Sequence, residues 1–174
     1  VILENLKFEH MELNLFGPED LLINLRGGSP ALFPTDTLPA LATLPNFASK
    51  LWAIKNRPKS KPFILMGSTQ EDLLQFVEPP ALEDALNFAQ IYWPGTLTMV
   101  LPSSHELAGK LNPGGLSIGM RVPRCEMTQK LLERTGPLAT TSANLSGEKP
   151  FLLPEEVAKC FPKHANDNAE STFP

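Results

Sequence analysis

Eighteen prolines run through the 174 residues, and they constrain the fold more than any other feature of the chain. Each fixes its own φ and removes a backbone donor, so each tends to bound a helix or strand. They are scattered between apolar runs instead of clustering, which predicts many short elements with tight connections and no disordered linker. Read between these stops, helical patterns cover Pro18 to Leu25, Phe47 to Ile54, Thr69 to Val77, Leu82 to Tyr92 and Glu126 to Thr135. Strands are expected at Ala31–Phe33, Phe63–Met66, Thr96–Leu101, Leu116–Val122 and Leu138–Thr141, and residues 103–115 read as a loop. The Pro79-Pro80 pair is expected to end one helix before the next begins. Strands alternating with helices imply an α/β (α+β) domain built on one mixed sheet.

Composition narrows the class. A content of 42% hydrophobic and 20% charged residues is that of a soluble globular protein, large enough for a real core. No apolar run approaches a membrane span, and residues 1–15 interleave Glu, Lys and His with apolar residues, unlike a secretion signal. Cys125 and Cys160 form no CxxC pair, so free thiols in a reducing cytoplasm are expected. A net charge of −4 argues against a broad, sequence-blind nucleic-acid binder but leaves room for a local basic patch. The expected organisation is a lead-in over 1–17, one domain over 18–160 with a short helix opening at Pro154, and a polar tail over 161–174 that frays.

The local basic patch is explicit. Lys55-Asn56-Arg57-Pro58-Lys59-Ser60-Lys61-Pro62 places four cations in eight residues between a helix and a strand. Such a loop suits an anionic ligand, although basic loops are also common as solvated connections. Thr35-Asp36-Thr37 follows a strand and fits either polar ligand contacts or a turn whose side chains bond their own backbone. On the 116–122 strand, Ser117, Gly119 and Arg121 share one face, either a ligand-facing surface opened by the glycine or an exposed face with a surface arginine. Ser142-Ala143-Asn144 ends another strand. Ligands on open α/β sheets gather at strand ends and the loops that follow them. Phosphate-binding GxxxxGK[ST] and GxGxxG loops, HExxH and GxSxG are all absent. His10, His105 and His164 have no metal-ligand spacing. Ser142 has no base that the sequence identifies, so positioning and charge stabilisation are favoured over a covalent intermediate.

These clusters, with their flanks, carry a family resemblance. Phe33-Pro34-Thr35-Asp36-Thr37, Lys55-x-Arg57-Pro58-x-x-Lys61-Pro62, Trp93-Pro94-Gly95-Thr96-Leu97-Thr98, Arg121-Val122-Pro123 and Ser142-Ala143-Asn144-Leu145-Ser146-Gly147 resemble the YrdC/Sua5 family in order and spacing. The match covers roughly residues 18–160. The resemblance implies a YrdC-like domain, a twisted mixed sheet with flanking helices and a basic concave site. It also implies threonylcarbamoyl-AMP synthesis from L-threonine, bicarbonate and ATP, with release of pyrophosphate. The product would pass to threonylcarbamoyl transferase machinery that modifies tRNA at position 37.

Carried over by residue, the resemblance assigns Thr37, Arg121 and Ser142 to threonine. It assigns Arg57, Lys61, Ser117 and Asn144 to ATP. It makes Lys55 and Arg57 the expected catalytic cations. Mg2+ is expected with the nucleotide, with no protein metal site. Three departures stand out: Pro39 and Ala40 replace the usual tyrosine and glycine, Met66 replaces a frequent histidine, and the closing Ser-Thr strand is not recognisable after residue 160. They motivate an alternative, a non-catalytic paralogue that binds tRNA or double-stranded RNA.

Overall fold

The computed structural model describes residues 18–144. The lead-in, the helix at Pro154 and the tail lie outside these residues. Among the described residues six α-helices, α1 (Pro18–Arg26), α2 (Ala48–Lys55), α3 (Gln70–Leu74), α4 (Pro79–Tyr92), α5 (His105–Leu111) and α6 (Glu126–Thr135), and a 3-10 turn at Pro45–Phe47 flank six strands. The strands are β1 (Ala31–Phe33), β2 (Ala40–Thr43), β3 (Ile64–Met66), β4 (Met99–Pro102), β5 (Ser117–Arg121) and β6 (Leu138–Ser142). They form one mixed sheet in the order β1-β2-β6-β3-β5-β4, with only the β3–β5 pair parallel. This is the expected mixed sheet with flanking helices. No helix among the described residues is long and apolar enough to cross a membrane.

Register sorts the side chains onto two faces. One face carries Leu41, Ala139, Leu65, Ile118 and Met120, and packs against Leu51 and Trp52 of α2, Leu73 of α3, Ala89 of α4 and Leu111 of α5. The other carries Phe33, Ala40, Ala42, Leu138 and Met66 under Leu25 of α1 and Leu131 and Leu132 of α6. An Arg134–Glu19 ion pair at 2.5 Å ties those two helices together. Ser142, Thr140, Ile64, Ser117, Gly119 and Arg121 continue this second face toward β5 and β4.

Several boundaries differ from the sequence reading, each for a local reason. Pro79 and Pro80 open α4 instead of separating two helices, because proline at the first positions gives up no intrahelical bond. Residues 105–111 are helical; the Ser104 hydroxyl accepts from the Leu107 N–H, and Leu107, Ala108 and Leu111 are buried. β2 is a strand that the pattern around Pro39 concealed, and β4 begins only at Met99. α3 stops at Leu74, short of Val77. α2 ends at Lys55 because Asn56 adopts the left-handed conformation (φ 46°), so asparagine and not Pro58 sets the stop.

Candidate functional site

The polar part of the second face holds two clusters. The first centres on Arg121, at the end of β5. Its Nε donates to the Gly95 carbonyl at 2.9 Å, Nη1 to Thr37 Oγ1 at 2.9 Å, and Nη2 to Asp36 Oδ1 at 2.6 Å. The ion pair is largely dry, with side-chain exposures of 7% for Arg121 and 14% for Asp36. Arg121 is therefore a buried, fully oriented guanidinium and not a surface arginine. The space that Gly119 was expected to open is taken up by its neighbours: a Cβ there would meet Ile64 Cγ2 at 2.7 Å and Thr98 Cγ2 at 3.1 Å.

The turn reading of Thr35-Asp36-Thr37 holds for Thr35, while Asp36 and Thr37 bond another side chain. Thr35 makes the turn: its hydroxyl donates to the Leu38 carbonyl at 2.8 Å and accepts from the Thr37 N–H at 3.1 Å. Asp36 and Thr37 turn outward to Arg121. The loop is pinned from both sides. Thr128, buried in α6, donates to the Pro34 carbonyl, and the Ala143 N–H donates to the Pro39 carbonyl at 2.9 Å. One short loop thus touches both clusters.

The second cluster forms where β6 ends. Ser142 Oγ donates to Asn144 Oδ1 at 2.5 Å. Ser117 stands on the same face of β5, four residues and about 13 Å of strand from Arg121. Ser142 makes its side-chain bond within this second cluster and not to the Thr37–Arg121 pair. Ala40, one of the unusual residues, faces Ser142 in register and is buried, and Met66 lies level with Arg121.

Lys55 arrives from the opposite face. It is only 2% exposed, and its ammonium donates to Thr141 Oγ1 at 3.1 Å and to the Ser142 carbonyl. It supports the Ser142 backbone from behind. Burial, and secondarily the Arg57 charge, lower its pKa from 10.5 to about 8. Arg57 folds back on its own loop, with Nε donating to the Lys61 carbonyl at 3.0 Å and Nη2 to the Pro62 carbonyl at 3.1 Å. Its guanidinium lies 5.6 Å from the centre of the Phe63 ring, and burial lowers its pKa. The Lys59, Ser60 and Lys61 side chains stay exposed, where the loop feeds into β3 at the end nearest Ser142 and Ser117.

Sequence reasoning missed two contributors. Asp36 was visible as a polar residue, but its partner lies 85 positions away. Gly95 carries the carbonyl that fixes Arg121 Nε, and its own N–H donates to the Val122 carbonyl at 2.8 Å. A Cβ on Gly95 would sit 2.5 Å from the Tyr92 carbonyl oxygen, so the turn requires glycine. Among the described residues no group of three or more His, Cys, Asp or Glu side chains could hold a metal ion.

Comparison with known proteins gives a consistent set. The family model for Sua5, YciO and YrdC proteins, described as telomere recombination, matches residues 24–166. A threonylcarbamoyl-AMP synthase of Blochmanniella pennsylvanica is 34% identical over 145 residues, covering 80% of this chain and 74% of that protein. The crystal structure of Pyrococcus abyssi Sua5 complexed with L-threonine superposes with a TM-score of 0.74 at 29% identity, covering 84% of this chain and 45% of that one. The chain thus spans less than half of the Pyrococcus protein. The structure of Escherichia coli YciO gives a TM-score of 0.67 at 28% identity, covering 80% and 70% of the two chains.

Proposed function

The chain belongs to the Sua5/YciO/YrdC family, and from that premise we propose that it is an L-threonylcarbamoyladenylate synthase, joining L-threonine, bicarbonate and ATP and releasing pyrophosphate. The observation that carries the reading is the buried, three-way-anchored Arg121 beside Thr37, a fork suited to a carboxylate, on the same face as Ser142, Asn144 and Ser117. A separation of about 13 Å along β5 suits two substrates lying end to end.

In this reading Arg121 takes the threonine carboxylate, while Thr37 and Ser142 orient the rest of the amino acid. The neutral amine attacks the bicarbonate carbon, a C–O bond breaks, and an amine proton leaves with the departing hydroxide as water. The resulting carbamate oxygen then attacks the α-phosphorus of ATP and displaces pyrophosphate. Arg57 and Lys61 meet the phosphates, and Ser117 and Asn144 hold the nucleotide. Lys55 adds positive charge through the Ser142 peptide as negative charge builds on the leaving group. Magnesium does not fit the described side chains as a resident ion; it enters as the counter-ion of the triphosphate. A cytoplasmic setting and transfer of the product to threonylcarbamoyl transferase machinery belong to the same proposal.

The test is pyrophosphate release from ATP and bicarbonate, with and without L-threonine. Threonine-dependent release is expected, and Arg57→Ala should reduce it by roughly a hundredfold. Unchanged release in Arg57→Ala and Ser142→Ala would remove the site assignment. The exposed Lys59 and Lys61 side chains keep a second reading, a non-catalytic tRNA- or double-stranded-RNA-binding paralogue. Salt-sensitive RNA binding without turnover would favour it.

A further inference from the structure

We propose that Asp36 determines specificity by making the Arg121 site a receptor for a zwitterion, an α-amino acid carrying both charges, in preference to a plain carboxylate. The inference rests on the reading of Arg121 as the amino-acid site. An aspartate in a turn of this kind ordinarily accepts from neighbouring backbone N–H groups. Here Thr35 does that work, and the Asp36 carboxylate is turned to Arg121 Nη2 at 2.6 Å. The turn is held at Pro34 by Thr128 and at Pro39 by Ala143, so the carboxylate has a fixed position.

Both partners are mostly buried, so neither charge can lose its partner without a large desolvation penalty. One N–H on each guanidinium nitrogen already has an acceptor, which leaves the second N–H of Nη1 and of Nη2 for a ligand. A ligand carboxylate that takes these two N–H groups lies beside the Asp36 carboxylate on the same guanidinium. A ligand with only a carboxylate places two anions against one cation in a dry site. A ligand with an adjacent ammonium gives Asp36 a new cation as it gives Arg121 a new anion. Its binding leaves the net charge of the site unchanged, which a lone carboxylate cannot do. The same logic excludes amines that lack a carboxylate.

Calorimetric titration of the full chain with L-threonine and with (R)-3-hydroxybutyrate, which lacks only the amino group, tests the idea. The wild type should prefer threonine by at least roughly tenfold. Asp36→Asn should lose threonine affinity by a similar factor and keep or gain affinity for hydroxybutyrate, so that the preference collapses. Asp36→Glu should retain most of the preference. If Asp36→Asn binds threonine as tightly as wild type or more tightly, Asp36 merely competes for Arg121 and the proposal is overturned. Equal binding of the two ligands by wild type overturns it without any variant. A folded wild type that binds neither threonine nor its analogue removes the amino-acid reading of the site itself, which is a separate result.

Discussion

Lys55 shows how one residue can be legible in sequence and still misread in direction. Its helical spacing from Ala48, Leu51 and Trp52 correctly predicts the packed side of α2, and all four are buried. Which face of the sheet that helix covers depends on strand pairing, and the structure puts Lys55 behind Ser142 instead of in the polar cluster. The consequence is measurable. Burial lowers the Lys55 pKa from 10.5 to about 8. Between those values the unfolded chain holds a proton that the native chain has lost, so native stability rises with pH across that window. Urea unfolding of wild type and Lys55→Met at pH 7.5 and pH 9.5 should show wild type gaining stability on the variant at the higher pH. An unchanged difference would mean that Lys55 keeps its ordinary pKa. Asp36 was legible only as polar, because nothing in a tripeptide reports a partner in another strand.

Among the elements, those with strong local signals were read correctly and those that depend on context were not. α3 has Thr69 as its cap, with Thr69 Oγ1 accepting from the Asp72 N–H at 3.2 Å and Asp72 Oδ2 accepting from the Thr69 N–H at 3.1 Å. Thr69→Ala should cost about 1 kcal/mol of stability by chemical denaturation. A smaller loss than a few tenths would mean that tertiary packing alone holds this five-residue helix. α5 escaped notice because seven residues interrupted by Gly109 and followed by Pro113-Gly114 carry a weak periodic signal. β2 escaped because Ala40-Leu41-Ala42-Thr43 has little strand propensity; its place between β1 and β6 makes it a strand. The Pro94-Gly95 turn was legible as a stop, while its service to Arg121 was not.

For the molecule as a whole, alternating elements and the family resemblance were enough to give a mixed sheet with flanking helices. The order β1-β2-β6-β3-β5-β4 was not, since it rests on pairings between distant segments. That order gives the sheet one mainly apolar face and a second that turns polar toward β5, and it places the basic loop and the Arg121 fork at opposite ends of that polar part. Each end also has its own tryptophan. Trp52 lies 4.2 Å from the Phe63 ring, over which Arg57 sits. Trp93 donates to the Leu97 carbonyl at 2.8 Å and begins the turn that anchors Arg121. With only two tryptophans in the chain, intrinsic fluorescence becomes a two-channel optical readout that needs no label. Under the proposed function, emission of Trp93→Phe should respond to ATP and stay silent to threonine, and in Trp52→Phe the responses should be reversed. Light from one buried indole would then tell which substrate has arrived, and in which order.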